Sequence, residues 1–306
     1  MSLFKLNSFI MISPLVSILM TAYNREKYIA EAIQSVLAST HSNFELIIVD
    51  DVSTDNTVKI ARGFAEKDNR IKIYINNVNL GDYPNRNKAA SYANGKYLKY
   101  LDSDDIIYPW GLEVMVYCME QRPDAGYGLI SNGLKTDKIL PLLFTPEQAY
   151  FTFYFRGSMV LTGPTGAIIN RSVFEKLNGF SGKPYIGDSE LWLKLSQEHS
   201  MVAMPLDLIW WRQHEEQQFK EGNNNRYYEH NSYLLFVNAL LSTNCPFSGK
   251  YKKIALRNLK NRYSRNLIIL CIKGKVSKAL NLYKLFNLNK IDIVKSISFN
   301  TYPTEL

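Results

Sequence analysis

The stretch Tyr97-Leu98-Lys99-Tyr100-Leu101-Asp102-Ser103-Asp104-Asp105 decides how the rest of the chain is read. Its Tyr- and Leu-rich start reads as a buried strand, and it ends in three carboxylates within four residues. Acids this close repel one another, so a fold that keeps them together needs a compensating cation. Hard oxygen ligands suit Mg²⁺ or Mn²⁺, and Mg²⁺ commonly takes one or two carboxylates together with substrate phosphates. Open α/β sheets bind ligands beyond the carboxyl ends of their strands, which is where this cluster falls. The competing reading is an ordinary turn before Ile106, Ile107 and Pro109, since Asp and Ser favour turns unaided. The flanking sequence decides between the two.

Upstream, Leu15 to Met20 is a nearly continuous apolar run, the pattern of a strand buried on both faces. Thr21-Ala22-Tyr23-Asn24 ends it, and the spacing of Ile29, Ile33, Val36 and Leu37 predicts a helix over 26–37. Leu46 to Val49 predicts a second buried strand, ending in Asp50-Asp51. Ser53-Thr54-Asp55 offers N-cap chemistry for a helix over 56–65. Ile71 to Ile75 predicts a third strand, 85–93 a helix, and Gly95 a turn into the acid-tipped strand. Alternation at this spacing predicts βαβ units, a mainly parallel sheet and an α/β fold. Thr21, Tyr23, Asp51 and the Asp102–Asp105 cluster would then meet along one carboxyl edge. The turn after the first strand holds no Gly, so a nicotinamide-type G-x-G-x-x-G is missing. An acid after the second strand can still accept from a nucleoside's ring N–H or ribose hydroxyl.

At 306 residues the chain is long enough to bury a sizeable core, and its 46% hydrophobic and 21% charged residues are ordinary for a globular protein. Cys118, Cys245 and Cys271 are odd in number and widely spaced, which argues against a disulfide framework or zinc site and suits a reducing cytosol. Residues 9–20 are apolar but broken by Ser13 and Pro14, so neither a signal peptide nor a transmembrane helix is expected. The net charge of +8 is uneven: residues 250–295 hold thirteen basic residues and one acid, a local +12 that leaves the remainder at −4. The basicity therefore belongs to the tail.

Three segments, Val16 to Asn24, Glu45 to Asp55 and Asp102-Ser103-Asp104-Asp105, resemble the family 2 glycosyltransferases in order and spacing. Asn79-Leu80-Gly81 and Arg86-Asn87 are similar to that family's pattern before its D-x-D strand. The resemblance spans about residues 14–215; Val52 departs from it, standing where the family usually has Gly. It implies a GT-A fold and an inverting, metal-dependent enzyme that takes a nucleotide-sugar, UDP-linked, with Mn²⁺ or Mg²⁺. Position by position, it implies a nucleotide site at Thr21, Tyr23 and Asp51, with Asp51 accepting from the uracil ring and Tyr23 against the base. It places Asp102 and Asp104 on ribose and metal, with Ser103 between them and Asp105 as a second metal candidate. Arg86 is either a diphosphate contact or a solvated helix charge.

Downstream, residues 109–121 predict a helix with Pro in its first turn, 127–131 a strand, and Thr162–Gly166 a Gly/Pro turn feeding 167–170. Residues 171–180 resemble the segment before the family's catalytic acid, and Asp188 matches the base position. An acceptor hydroxyl must lose its proton as it attacks the anomeric carbon, and a positioned carboxylate can take it; Asp188 is also expected to cap the helix over 190–195. Glu190 is the fallback base. Trp210-Trp211-Arg212-Gln213-His214 resembles the family's closing element, with His214 at the metal shell or the diphosphate. The expected organisation is a catalytic domain over 1–220 (nucleotide half 14–105, acceptor half 106–220) and a helical basic region over 221–306. There Leu256, Leu259, Tyr263, Leu267 and Leu270 form a stripe that either packs on the body or meets an anionic bilayer. Expected partners are the donor, a saccharide or lipid-linked acceptor, and that membrane surface, with no nucleic acid; the expected place is the cytoplasm, peripheral at the inner face of the membrane. Two alternatives stand beside this reading, a sugar-nucleotide nucleotidyltransferase and a non-catalytic nucleotide- or sugar-binding protein.

Overall fold

The computed structural model describes residues 13–157, 159–214, 226–286, 288 and 290–296. The strands are β1 (Val16–Ala22), β2 (Phe44–Asp50), β3 (Ile71–Ile75), β4 (Tyr97–Tyr100), β5 (Ile106–Ile107), β6 (Ala125–Ile130), β7 (Leu142–Phe144), β8 (Ala167–Asn170), β9 (Ser200–Met204) and β10 (Ile209–Trp210). Eight of them form one sheet in the order β3-β2-β1-β4-β8-β6-β9-β7, and β5 pairs with β10 in a separate ribbon. The first four strands run parallel, β8 is antiparallel to both β4 and β6, and β9 is parallel to β6. Every residue of β2 and β4 is buried, and β1 is buried except at the half-buried Thr21, as their unbroken apolar runs predict.

Helices α1 (Ile29–Leu37), α2 (Thr57–Ala65), α3 (Asp82–Ala90), α4 (Gly111–Glu120), α5 (Pro146–Phe151), α6 (Arg171–Lys176) and α7 (Gly187–Glu198) cover the sheet. Successive strand residues point to opposite faces, and the core divides accordingly. Val16, Ile18, Met20, Leu46 and Ile48 pack with Ile29 and Ile33 of α1 and Leu112 and Met115 of α4. Leu19, Ile47, Val49, Leu98 and Tyr100 pack with Tyr83 of α3, Tyr150 of α5 and Trp192 of α7. Glycine at 95 is a steric requirement, because a Cβ there would stand 2.5 Å from the Ser17 backbone nitrogen.

Several boundaries differ from the sequence reading. Helix α3 begins at Asp82, three residues before the expected start, because Gly81 at φ 80° breaks the chain there and brings Asp82 and Tyr83 into the first turn. Pro109 lies outside α4, whose N-cap is Trp110. Asp188 is not an N-cap: α7 opens at Gly187 after Ile186, so Asp188 sits inside the first turn, where its Oδ1 accepts from the Ser189 N–H at 2.7 Å. Asn56 precedes α2 without a side-chain cap, yet Asp55 Oδ1 accepts from the Thr57 N–H at 2.9 Å.

The C-terminal helices are α8 (Arg226–Leu241), α9 (Gly249–Ile272), α10 (Val276–Leu285) and α11 (Lys290–Lys295). Leu259, Tyr263 and Leu267 of the tail stripe are buried, with Leu256 and Leu270 partly so, in the same apolar cluster as Phe151 and Phe155 of the body. The stripe therefore faces inward, and of its two readings the packing one describes these residues. Tyr154 adds a polar tie, its hydroxyl donating to Phe236 O at 2.7 Å. Among the described residues, no helix is long and apolar enough to cross a membrane.

Candidate active site

One crevice of about 1320 Å³ runs along the carboxyl ends of β1, β2 and β4. Thr21, Tyr23, Asp51, Arg86, Asp102, Ser103, Asp104, Asp105, Asp188 and His214 all line it, so every site residue nominated from the sequence except the fallback base Glu190 lies in one place. β1 supplies Thr21 and the chain leaving it Tyr23, while Asp51 directly follows β2 and Asp102 lies two residues past β4. Register aligns Ala22 with Asp50 and Leu19 with Tyr100.

Carboxylate oxygens of Asp102, Asp104 and Asp105 come within 4.8 Å of one another. Asp105 is buried, and burial first, then the charges of Asp102 and Asp104, push its carboxyl well above the usual range. A donor set of hard oxygens at this spacing fits Mg²⁺ or Mn²⁺. The protein holds the cluster with its own cations and N–H groups. Arg86 is buried and bridges Asp82 and Asp102 at 2.7 Å each. Thr165 Oγ1 accepts from the Asp102 N–H at 3.1 Å. Lys99, fully buried behind the cluster, donates to the carbonyls of Tyr100 and Thr165, and burial brings its ammonium down to about 7 despite the neighbouring acids. On the other side the Arg212 N–H donates to Asp105 Oδ1 at 3.1 Å and its Nε to Asp104 O at 2.9 Å. His214 Nε2 lies 3.0 Å from Asp104 Oδ2, its ring packed on Tyr28 with centroids 4.6 Å apart.

Two nominated residues carry structural work that their sequence context does not reveal. Asp51 is buried; its Oδ1 accepts from the Leu80 N–H and Asn76 Nδ2, both at 2.8 Å, and its Oδ2 from the Gly81 N–H at 2.9 Å. A carboxylate offers about four lone-pair sites, so one on Oδ2 remains for a ligand. Arg86, with two carboxylates on its guanidinium, orients Asp102 and is not a solvated helix charge. The intervening turn places Val52 at φ 67°, the left-handed region in which Gly costs least.

Across the crevice, α7 is positioned from three sides. Trp192 Nε1 donates to Thr162 O at 2.7 Å and Ser189 Oγ to Val160 O at 2.9 Å. Asn87 of α3 accepts from the Phe180 N–H at 2.9 Å and donates to Phe180 O at 2.8 Å, tying the segment before α7 to the nucleotide side. Tyr83 OH accepts from the Asp188 N–H at 3.3 Å, and Gly187 lets that ring approach, because a Cβ would sit 2.8 Å from it. Burial pushes the Asp188 carboxyl up to about 6, helped by Asp82 and opposed by the Ser189 N–H and Arg86. A carboxylate poised there is a competent proton acceptor near neutral pH. Glu190 lies outside the crevice: its burial is outweighed by bonds from Lys183 and Ser181, which hold its carboxyl low and fully engaged. That removes the fallback base. The sequence reading missed Arg25, Asp82 and Tyr83 and gave Arg212, quoted in the closing element, no role; all four line the crevice.

The sequence model described as glycosyl transferase family 2 matches residues 17–177. An uncharacterised glycosyltransferase of Haemophilus influenzae is 27% identical over 94% of this chain and 86% of its own length. The Escherichia coli UDP-Glc:alpha-D-GlcNAc-diphosphoundecaprenol beta-1,3-glucosyltransferase WfgD is 32% identical over 64% of this chain and 75% of its own. Among solved structures, S. aureus TarS residues 1–349 in complex with UDP-GlcNAc superposes with a TM-score of 0.69 at 18% identity, covering 92% of this chain and 81% of that one. The mannosyltransferase PcManGT from Pyrobaculum calidifontis, in complex with GDP-Man and Mn²⁺, gives 0.61 at 17% identity over 93% and 83%. These likenesses show the GT-A fold.

Proposed function

Because the chain belongs to glycosyl transferase family 2, we propose that its crevice moves a sugar from UDP to an acceptor hydroxyl with inversion. The observation that carries this reading is the placement of Asp188, a carboxylate raised to about 6, in the same crevice as the three-acid cluster. Thr21, Tyr23 and the last lone pair of Asp51 would take the nucleoside, and Asp102, with Ser103 beside it, the ribose. Asp102, Asp104 and Asp105 would hold Mn²⁺ or Mg²⁺, with Asp104 also within reach of His214. The ion when bound would stabilise the departing diphosphate. Asp188 would accept the proton of the attacking hydroxyl while the oxygen displaces UDP from the opposite face, so one base suffices and no covalent intermediate forms. Asp82, Tyr83 and Arg86 act indirectly, by fixing Asp188 and Asp102.

A saccharide or lipid-linked acceptor suits the reading, supported by what the name of the E. coli relative says of that protein. Membrane-surface contact at the inner face is part of the proposal, but not through the tail stripe. Ile269, Ile272, Val276, Leu280, Ile291 and Val294 are exposed, Ile272 by 80%, near the exposed Lys273, Lys275 and Lys284. Apolar side chains interspersed with lysines match the anionic membrane interface. We place the boundary between the catalytic body and the helical region near residue 220. No observation favours the nucleotidyltransferase or the non-catalytic alternative. The test is incubation with a panel of nucleotide-sugars and Mn²⁺. Release of free UDP, increased by a saccharide acceptor, supports the proposal; no release from any donor refutes it.

A further inference from the structure

One oxygen of Asp104 receives two donors. Arg25 Nε lies 3.1 Å from Oδ2, and His214 Nε2 lies 3.0 Å from the same atom. The guanidinium is held in place from behind, with Nη1 donating to the carbonyls of Tyr23 and Asn24 at 3.1 Å each. Its main chain is pinned as well, through an N–H to Thr57 Oγ1 at 2.7 Å. Arg25 also lines the crevice. An oxygen accepting from a guanidinium and an imidazole cannot also bind a divalent cation without losing a partner. Meanwhile Arg86, the arginine nominated from the sequence for the diphosphate, has Asp82 and Asp102 on its guanidinium and is 8% exposed.

We propose that Arg25 is a displaceable counter-cation of Asp104, which competes with the divalent ion for Oδ2 and is drawn off by the diphosphate of the donor. The inference rests on the metal-dependent reading above. Charge balance gives its direction. A divalent ion arriving alone would add two positive charges to a cluster whose carboxylates already have Arg25 and Arg86 as partners. An ion arriving with a nucleoside diphosphate adds little net charge and offers Arg25 a new anion, which a planar guanidinium fits bidentately. Metal and nucleotide would then bind with positive coupling, and by linkage each strengthens the other to the same extent.

Titration calorimetry tests this on the full chain with Mn²⁺ alone, and with UDP at saturating Mn²⁺. Arg25→Gln should bind Mn²⁺ alone about two- to fivefold more tightly, the size of a lost partly exposed ion pair, and UDP with Mn²⁺ about tenfold more weakly, the size of a lost charge-assisted hydrogen bond. Arg25→Lys, which keeps the charge and loses the fork, should fall between on both axes and serves where Arg25→Gln fails to fold. A residue that merely supports the loop would weaken both affinities together, so opposite signs are the signature. Wild-type binding of Mn²⁺ and UDP with neither affinity altered in the variants overturns the inference and leaves the proposed function standing. If the wild-type chain binds no Mn²⁺ even with UDP, both fall.

Discussion

Replacing Asp188 by Asn removes the proposed proton acceptor while keeping its shape, and the structure sets two opposite consequences. Without a base at that position turnover should fall by about 10²–10⁴-fold, the usual contribution of a positioned general base. Stability should rise. Burial lifts the folded carboxyl from 3.8 to about 6, so the folded chain holds this proton more tightly than the unfolded one. The penalty is absent below about pH 4, grows as pH rises from about 4 to 6, and is complete above it. At 1.36 kcal/mol per unit, and with the side chain open to the crevice, Asn should add about 1–3 kcal/mol at pH 7 and nothing at pH 4. The wild-type rate should have an acid limb near pH 6 that the variant lacks. Acceptor-dependent UDP release over pH 5–8 and thermal unfolding at pH 4 and 7 measure all three. A variant with near-normal turnover, or one destabilised at pH 7, would refute the assignment, and Glu190, engaged by Lys183 and Ser181, does not stand ready to take over.

Asp51→Asn should weaken UDP by about 1–3 kcal/mol and lower the unfolding temperature, since an amide must face one of three N–H donors now satisfied; wild-type affinities for UDP, CDP and GDP that are equal would count against base reading. Val52→Gly should stabilise the chain by about 0.5–1 kcal/mol, because relief of a left-handed φ worth about 1–2 kcal/mol exceeds the added backbone entropy; a loss on chemical denaturation would contradict this. Ile272→Ser with Leu280→Ser should cut sedimentation with phosphatidylglycerol vesicles while leaving folding within about 0.5 kcal/mol. Wild-type binding should fade as salt shrinks the Debye length from about 10 Å at 0.1 M to about 3 Å at 1 M; equal binding to neutral vesicles would remove the surface.

Strands β1, β2 and β4 were legible because they are buried on both faces, so continuous apolar runs leading into Asp51 and Asp102 gave both the layering and the crevice edge, whereas β7 and β9 were not read. Asp188 was legible only through resemblance, since nothing local separates it from an ordinary helix-start acid. Arg25 escaped notice because its partner lies 79 residues away and neither periodicity nor clustering marks it. Asp82 and Tyr83 were lost when α3 was begun at Asn85: their polar segment has no apolar period, and the start is set by the left-handed Gly81. The spacing of the tail stripe marked a helix, yet it could not tell which apolar face packs. The stripe from Leu256 to Leu270 turns inward, and a second set around Ile272 and Leu280 stays out.

The central claim is that the acid cluster holds a divalent ion together with a nucleoside diphosphate. Calorimetric titration of UDP into wild-type and Asp104→Ala chains, each with and without Mn²⁺, tests it most directly. The account predicts Mn²⁺-dependent binding in the wild type that disappears in a variant that still unfolds cooperatively. UDP affinity indifferent to Mn²⁺, or the same in both chains, would contradict it.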